Sequence, residues 1–86
     1  MKILKFYADW CGPCRVLAKN LEVFKEKHPD IEVVSINVED DEELSAKYNI
    51  RNVPVLIKLV DDVETARRVG LATVADLENF VCSWIC

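Results

Sequence analysis

KILKFYADWCGPCRVLAKNLEVFKEK, residues 2–27, contains a strand, a sharp turn and a helix in that order. Lys2 to Tyr7 is short, mostly apolar and rich in β-branched and aromatic side chains, the composition of a strand. From Cys11 to Lys27 the pattern becomes helical: Cys14, Leu17, Ala18, Leu21 and Phe24 recur at spacings of three and four and share one face. Pro13 suits the first turn of that helix, where its missing N–H costs nothing. His28-Pro29-Asp30 stops it. Ile31 to Val38 (IEVVSINV) then reads as a second strand. A strand joined to a strand through a helix is a βαβ unit, so the two strands should be parallel.

The remaining segments complete an α/β chain. Glu39 to Glu43 is an acidic run leading into a short helix, Glu42 to Tyr48, whose N-terminus favours carboxylates. Asn52-Val53-Pro54 precedes a third strand, Val55 to Val60. Asp61-Asp62 reads as a turn and Glu64 to Val69 as a fourth strand, although no glycine marks that hairpin. Gly70 breaks the chain. Thr73 and Asp76 have capping-box spacing for a last helix from Val74 to near Trp84, with Asp a weaker partner than Glu. There is no repeat, linker or low-complexity segment. At 86 residues, 51% hydrophobic and 30% charged, the chain is expected to form one globular domain spanning residues 1–86. Its formal charge of −4 disfavours a nucleic-acid partner. No apolar run approaches the roughly 20 residues of a membrane span. Lys5 and Asp9 interrupt the start where a secretion signal needs an unbroken apolar stretch, so a cytoplasmic location is expected.

Four cysteines allow two disulfides, but without secretion such pairs are more often catalytic or metal-binding than structural. Cys11-Gly12-Pro13-Cys14 lies where a strand turns into a helix. Unpaired N–H groups and partial positive charge collect there, so a thiolate is stabilised and its pKa falls below that of a free cysteine. Cys11 is expected at the lip, exposed and reactive. Cys14, one turn later, is expected against the core with its thiol shielded. A zinc site completed by Cys82 and Cys86 fits less well, because tetrathiolate sites pair tight knuckles and Gly-Pro suits a redox turn.

Ala8-Asp9-Trp10-Cys11-Gly12-Pro13-Cys14 resembles the active-site segment of thioredoxins. Val53-Pro54 resembles the family's cis-proline site, Gly70 matches a glycine beside its active site, and the β-α-β-α-β-β-α order matches over nearly the whole chain. The resemblance implies a thioredoxin fold: a four-stranded mixed sheet in order 2-1-3-4 with helices on both faces, lacking the N-terminal strand and helix of longer thioredoxins. It implies a thiol-disulfide oxidoreductase that reduces protein disulfides, with Cys11 as nucleophile and Cys14 as resolving cysteine. Trp10, Gly12, Pro13, Val53, Pro54 and Gly70 would contact the substrate. No bound cofactor is implied beyond the redox-active Cys11–Cys14 disulfide. The expected partners are disulfide-containing proteins and a flavin/NADPH-type thioredoxin reductase, with the protein acting as a monomer in electron transport and cell redox homeostasis. Two alternatives stand beside this: a glutathione-dependent, glutaredoxin-like reductase, and a redox-independent binding subunit of a larger enzyme. Gly-Pro between the cysteines favours thioredoxin chemistry over the Pro-Tyr pair of glutaredoxins.

Three positions depart from the family pattern. Lys5 stands where thioredoxins carry a buried Asp thought to shuttle the proton of the resolving cysteine, and Ser35 stands where a lysine often accompanies it. Lys5 shares a strand face with Ile3 and Tyr7. It either lies partly buried beneath Cys14, where desolvation lowers its pKa and it accepts the Cys14 proton or stabilises the thiolate, or it carries its amine out to solvent. Lys19 replaces a helix-kinking proline, which predicts a straighter helix. Elsewhere, Cys82 and Cys86 read either as a buried apolar residue and a frayed end, or as a second redox pair. His28 belongs to a helix C-terminus, Asp9 to the exposed flank of the nucleophile, and Arg67 and Arg68 to the surface.

Overall fold

The computed structural model describes residues 2–85, with side chains for residues 2–81. Strands β1 (Lys2–Tyr7), β2 (Glu32–Asn37), β3 (Val55–Val60) and β4 (Val63–Val69) alternate with helices α1 (Gly12–Lys27), α2 (Glu42–Lys47) and α3 (Val74–Ile85). The sheet runs β2-β1-β3-β4. β1 and β2 are parallel, while β1–β3 and β3–β4 are antiparallel, as the βαβ unit and the hairpin require. The expected strand order and the helices on both faces are therefore present.

Alternation along β1 divides the core. Ile3 joins Leu17, Leu21 and Phe24 of α1, Leu56 of β3, and Leu77 and Val81 of α3 on one side of the sheet. Leu4 and Phe6 join Ile36, Val55, Ile57 and Leu59 on the other, where Leu44 and Tyr48 close over them from α2 and its C-terminal end. β3 is covered on both faces, which explains its near-continuous apolar run Val55-Leu56-Ile57-Lys58-Leu59-Val60. Side-chain bonds fasten α1 to the chain around α3: Asn20 Nδ2 donates to the Ala72 carbonyl at 2.8 Å, and His28 Nε2 meets Glu78 Oε2 at 3.0 Å. The His28 ring also packs on Phe24, with centroids 4.8 Å apart.

Boundaries of four elements differ from the sequence expectation, α2 among them, which ends at Lys47 with Tyr48 as its C-cap. α1 begins at Gly12 because Cys11 is its N-cap, in extended conformation. β2 is one residue shorter at each end than Ile31 to Val38, although Val38 N–H still donates to the Tyr7 carbonyl at 2.9 Å. β4 starts at Val63, not Glu64, because the turn is two residues long. Asp61 and Asp62 both adopt positive φ, 52° and 65°. That is the pattern of a type I′ hairpin turn, and aspartate tolerates the left-handed region better than most residues without being glycine.

The capping box forms with its aspartate. Asp76 N–H donates to Thr73 Oγ1 at 3.1 Å, and Thr73 N–H donates to Asp76 Oδ2 at 3.0 Å. These bonds, with the charge of Arg68, hold the Asp76 carboxyl below its usual range. A folded-state pKa below the unfolded value stabilises the fold above the unfolded pKa, and the contribution is lost as pH falls through the folded one. Asp76→Asn is therefore expected to melt a few degrees below the wild type at neutral pH, with the gap closing as pH drops below about 4. Thermal melts across pH check this; a gap that persists into acid would show that the charge is not what matters.

Candidate active site

The turn after β1 delivers the cysteines. Cys11 N–H donates to the Ala8 carbonyl at 3.2 Å, closing the turn and setting Cys11 at the head of α1. Cys11 Sγ then accepts from the Cys14 N–H at 3.2 Å, as a serine or aspartate would at an N-cap. No acidic residue occupies the first turn of α1, so no carboxylate of that turn opposes negative charge on the sulfur. Cys11 and Cys14 are joined as a disulfide, with Cα atoms 5.3 Å apart. Ala8 and both cysteines form a small cluster against which Tyr7, Val38 and Val53 pack. One expectation is corrected here: Cys11 is 5% exposed and Cys14 4%, so the first cysteine is not the open one in this state. The bond folds the Cys11 sulfur over the helix end toward Cys14, and its neighbours cover it.

The chain on the far side of the sulfurs is held by β3 and β4. The Val53–Pro54 peptide is cis and Pro54 is buried. The Pro54 carbonyl accepts from Gly70 N–H at 2.9 Å, extending the β3–β4 ladder by one bond. Gly70 has φ of 98°, which side-chain-bearing residues rarely adopt. Val69 and Leu71 on either side of it are exposed, and Trp10 is 72% exposed. Trp10 also lines a cavity of about 210 Å³ with Val38, Ile50, Arg51, Asn52 and Val53. Trp10 adjoins Cys11 along the chain and Val53 packs on the cysteine cluster, which puts apolar surface beside the pair.

A thioredoxin family model matches residues 1–83. The chain belongs to the thioredoxin family. It is 34% identical to a thioredoxin of Chlamydia pneumoniae over 92% of this chain and 78% of that protein. Thioredoxin C-2 of Corynebacterium nephridii is likewise 34% identical, over 92% of this chain and 74% of the relative. Among solved structures, a mutant thioredoxin from Halobacterium salinarum superposes with a TM-score of 0.89 at 34% identity, covering 96% of this chain and 73% of that one. The thioredoxin of Fasciola hepatica gives 0.88 at 30% identity, over 95% and 78%. As a thioredoxin, the protein is a thiol-disulfide oxidoreductase that reduces protein disulfides through the Cys11–Cys14 dithiol. The cysteine pair carries the redox equivalents, so thioredoxin chemistry needs no bound cofactor. Members of the family act on disulfide-containing substrates and are themselves reduced by thioredoxin reductase.

In this thioredoxin Lys5 is half-buried, in register with Ser35 on β2 and Leu56 on β3. It lines the same cavity as Cys14, about 470 Å³ in volume. Burial lowers the pKa of its amine, partly offset by the charge of Glu22. α1 runs unbroken through Lys19. Among the described residues no group of three or more His, Cys, Asp or Glu side chains could hold a metal ion. The Cys82 and Cys86 side chains lie outside the described residues. No helix is long and apolar enough to cross a membrane.

Other charged positions fall away from the sulfurs or serve the frame. Asp41 caps α2 by accepting from Leu44 N–H at 3.0 Å, while Glu39 and Asp40 are exposed. Arg67 makes a two-pronged contact with Glu64, at 2.9 and 3.0 Å. Arg68 is part-exposed; its register partner is Leu56, which sets it on the α3 side of the sheet, where it reaches Asp76 at 3.4 Å. Among the described residues its buried Nε has no partner.

Two residues were not foreseen. Asn37 joins the loops beside the cysteines: its Oδ1 accepts from Glu39 N–H at 2.9 Å, and its Nδ2 donates to Asp9 Oδ1 at 3.5 Å. Asn at a strand end, bonding the N–H two residues on, is an Asx turn that the sequence Asn37-Val38-Glu39 could have signalled. Lys58 is 0% exposed, and its Nζ donates to the Phe80 carbonyl at 3.0 Å. A lysine in the middle of an apolar strand is the signal; where its amine finds an acceptor depends on α3 and could not be read locally.

Proposed function

We propose that Cys11 is the nucleophile and Cys14 the resolving cysteine of one thioredoxin domain spanning residues 1–86. The observation that carries this is Cys11 Sγ at the N-cap of α1, accepting the Cys14 N–H. A sulfur so placed gains from becoming an anion, so Cys11 attacks the substrate disulfide and forms a mixed disulfide. Cys14, one helical turn further on, then displaces the substrate thiolate. The substrate docks on Trp10, Gly12, Pro13, Val53, Pro54 and Gly70, with its chain extended along the Val53 backbone in strand fashion. Lys5 serves the Cys14 proton: when neutral its amine takes it up, and when charged it stabilises the thiolate. Electrons reach the disulfide from a flavin/NADPH-type thioredoxin reductase. The protein works as a monomer in the cytoplasm, in electron transport and cell redox homeostasis.

The test is alkylation of the reduced protein across pH, followed by peptide mapping. Cys11 should label first, with a midpoint below that of an ordinary peptide thiol and faster than the peptide at neutral pH. The Cys14 midpoint should lie higher and rise further in Lys5→Met, with the disulfide-exchange profile moving to higher pH. Equal labelling of the two cysteines would defeat the assignment of roles. A Lys5→Met profile identical to the wild type would remove Lys5 alone.

A further inference from the structure

The groove beside Cys14 opens to solvent between Asp9, Arg15 and Ser35, all three exposed, and has more room than a proton needs. Its volume, about 470 Å³, is many times the roughly 30 Å³ share of a water molecule. Lys5, Tyr7, Asp9, Cys14, Arg15 and Ser35 line it. Among the described residues the Lys5 amine makes no hydrogen bond or ion pair; its Nζ stands 5.1 Å from the centroid of the Tyr7 ring. This ammonium is partly withdrawn from water, with an aromatic face on one side and open space on another; it touches no anion directly and feels the charge of Glu22. Charges of both signs line this space, the Asp9 carboxylate as well as Lys5 and Arg15. Arg15 donates through Nη2 to the Asp9 carbonyl at 3.4 Å, leaving its charge at the wall, and Asp9 Oδ1 is engaged by Asn37. Glu22 acts on Lys5 by its charge, without forming an ion pair with it. A second, smaller cavity shares Lys5, Ala18 and Ser35 and continues along α1 toward Lys25.

We propose that this cavity is a site for a small anion, a carboxylate or an inorganic oxyanion, which binds on the Lys5 ammonium and slows the step in which Cys14 closes the disulfide. The proposal rests on the assignment of Cys14 as the resolving cysteine and of Lys5 as the group that serves its proton; closure by Lys5→Gln without formate, if as fast as wild type, marks failure of that Lys5 role rather than of anion binding. In that step the Cys14 thiol gives its proton to the Lys5 amine or to water. The Cys14–Cys11 sulfur bond forms, the bond from Cys11 to the substrate sulfur breaks, and the substrate leaves as a thiolate carrying the electron pair. The dithiol is oxidised by two electrons and the substrate disulfide reduced by two. An anion on Nζ pins the amine in its charged form, so it cannot take the proton. It also cancels the field that would favour the Cys14 thiolate. Both effects slow closure.

The probe is sodium formate, compared with a bulky sulfonate salt at equal ionic strength. Amide spectra of the oxidised protein should show saturable formate shifts at Lys5, Cys14 and Ser35. They should persist in Lys5→Arg and vanish in Lys5→Gln. The mixed disulfide is trapped at about pH 4, where thiols are protonated, and released by a jump to neutral pH. Saturating formate should slow closure about threefold in the wild type, the effect of half a pKa unit, and leave Lys5→Gln unchanged. Shifts that never saturate, shifts equally large in Lys5→Gln, or saturable shifts without slowing would each overturn the proposal. Binding is read on the oxidised protein, so failure of the dithiol roles would leave that arm intact and be recognised separately.

Discussion

Cys11→Ser is expected to abolish disulfide reduction, whereas Cys14→Ser is expected to complete the first attack and stop at a stable mixed disulfide. The asymmetry follows from where each sulfur lies. The serine oxygen can accept the same N-cap hydrogen bond as Cys11 Sγ, so the helix keeps its start while the nucleophile is lost. Cys14 is 4% exposed and adjoins Cys11 across a Cα separation of 5.3 Å. Well-oriented intramolecular groups reach effective concentrations of about 10⁵ M or more. An external thiol at about 1 mM cannot replace that, so turnover of Cys14→Ser should fall at least about 10³-fold. Incubation with a disulfide protein followed by non-reducing electrophoresis reads both results. Turnover by Cys11→Ser, or no adduct on Cys14→Ser, would reverse the order of the two steps.

Phe24→Ala is expected to produce the largest loss of stability from a single core position. Phe24 is fully buried on the inner face of α1, within the cluster that joins α1 to α3 on one side of the sheet. Its ring also supports His28, whose Nε2 reaches Glu78 on α3. Removing such a ring costs about 3–5 kcal/mol. Small domains have roughly 5–15 kcal/mol in total and lose about 4–8 °C of Tm per kcal/mol. The variant should therefore melt at least about 12 °C below the wild type and unfold at a markedly lower urea concentration. A loss of only a degree or two would mean that α1 is not anchored where its buried face indicates.

Element order and the reactive pair were legible because each rests on local chemistry, whereas the full strand order followed from the resemblance to thioredoxins. The apolar spacing from Cys14 to Phe24 fixes the buried face of α1, and a strand–helix–strand run fixes the parallel pair. The Thr73–Asp76 box was readable because capping is a contact three residues long. What escaped the reading depends on distant partners or on oxidation state. The covering of Cys11 follows from its bond to Cys14 and from Val38 and Val53, which pack against the cluster from other segments. Lys58 is buried because α3 offers it the Phe80 carbonyl, and the ion pair of Arg68 with Asp76 depends on where α3 begins. The β4 start was misplaced by one residue because the two-aspartate turn, itself read correctly, passes straight into pairing at Val63.

That two-aspartate turn has a practical consequence. Asp61 and Asp62 are exposed, and strand pairing sets them beside the start of β1, at the opposite end of the sheet from the sulfurs. Lengthening a surface loop costs only about 0.6 kcal/mol per doubling. The hairpin tip is thus the natural point at which to graft an epitope or a fluorescent reporter, giving a tagged protein whose redox face is left untouched.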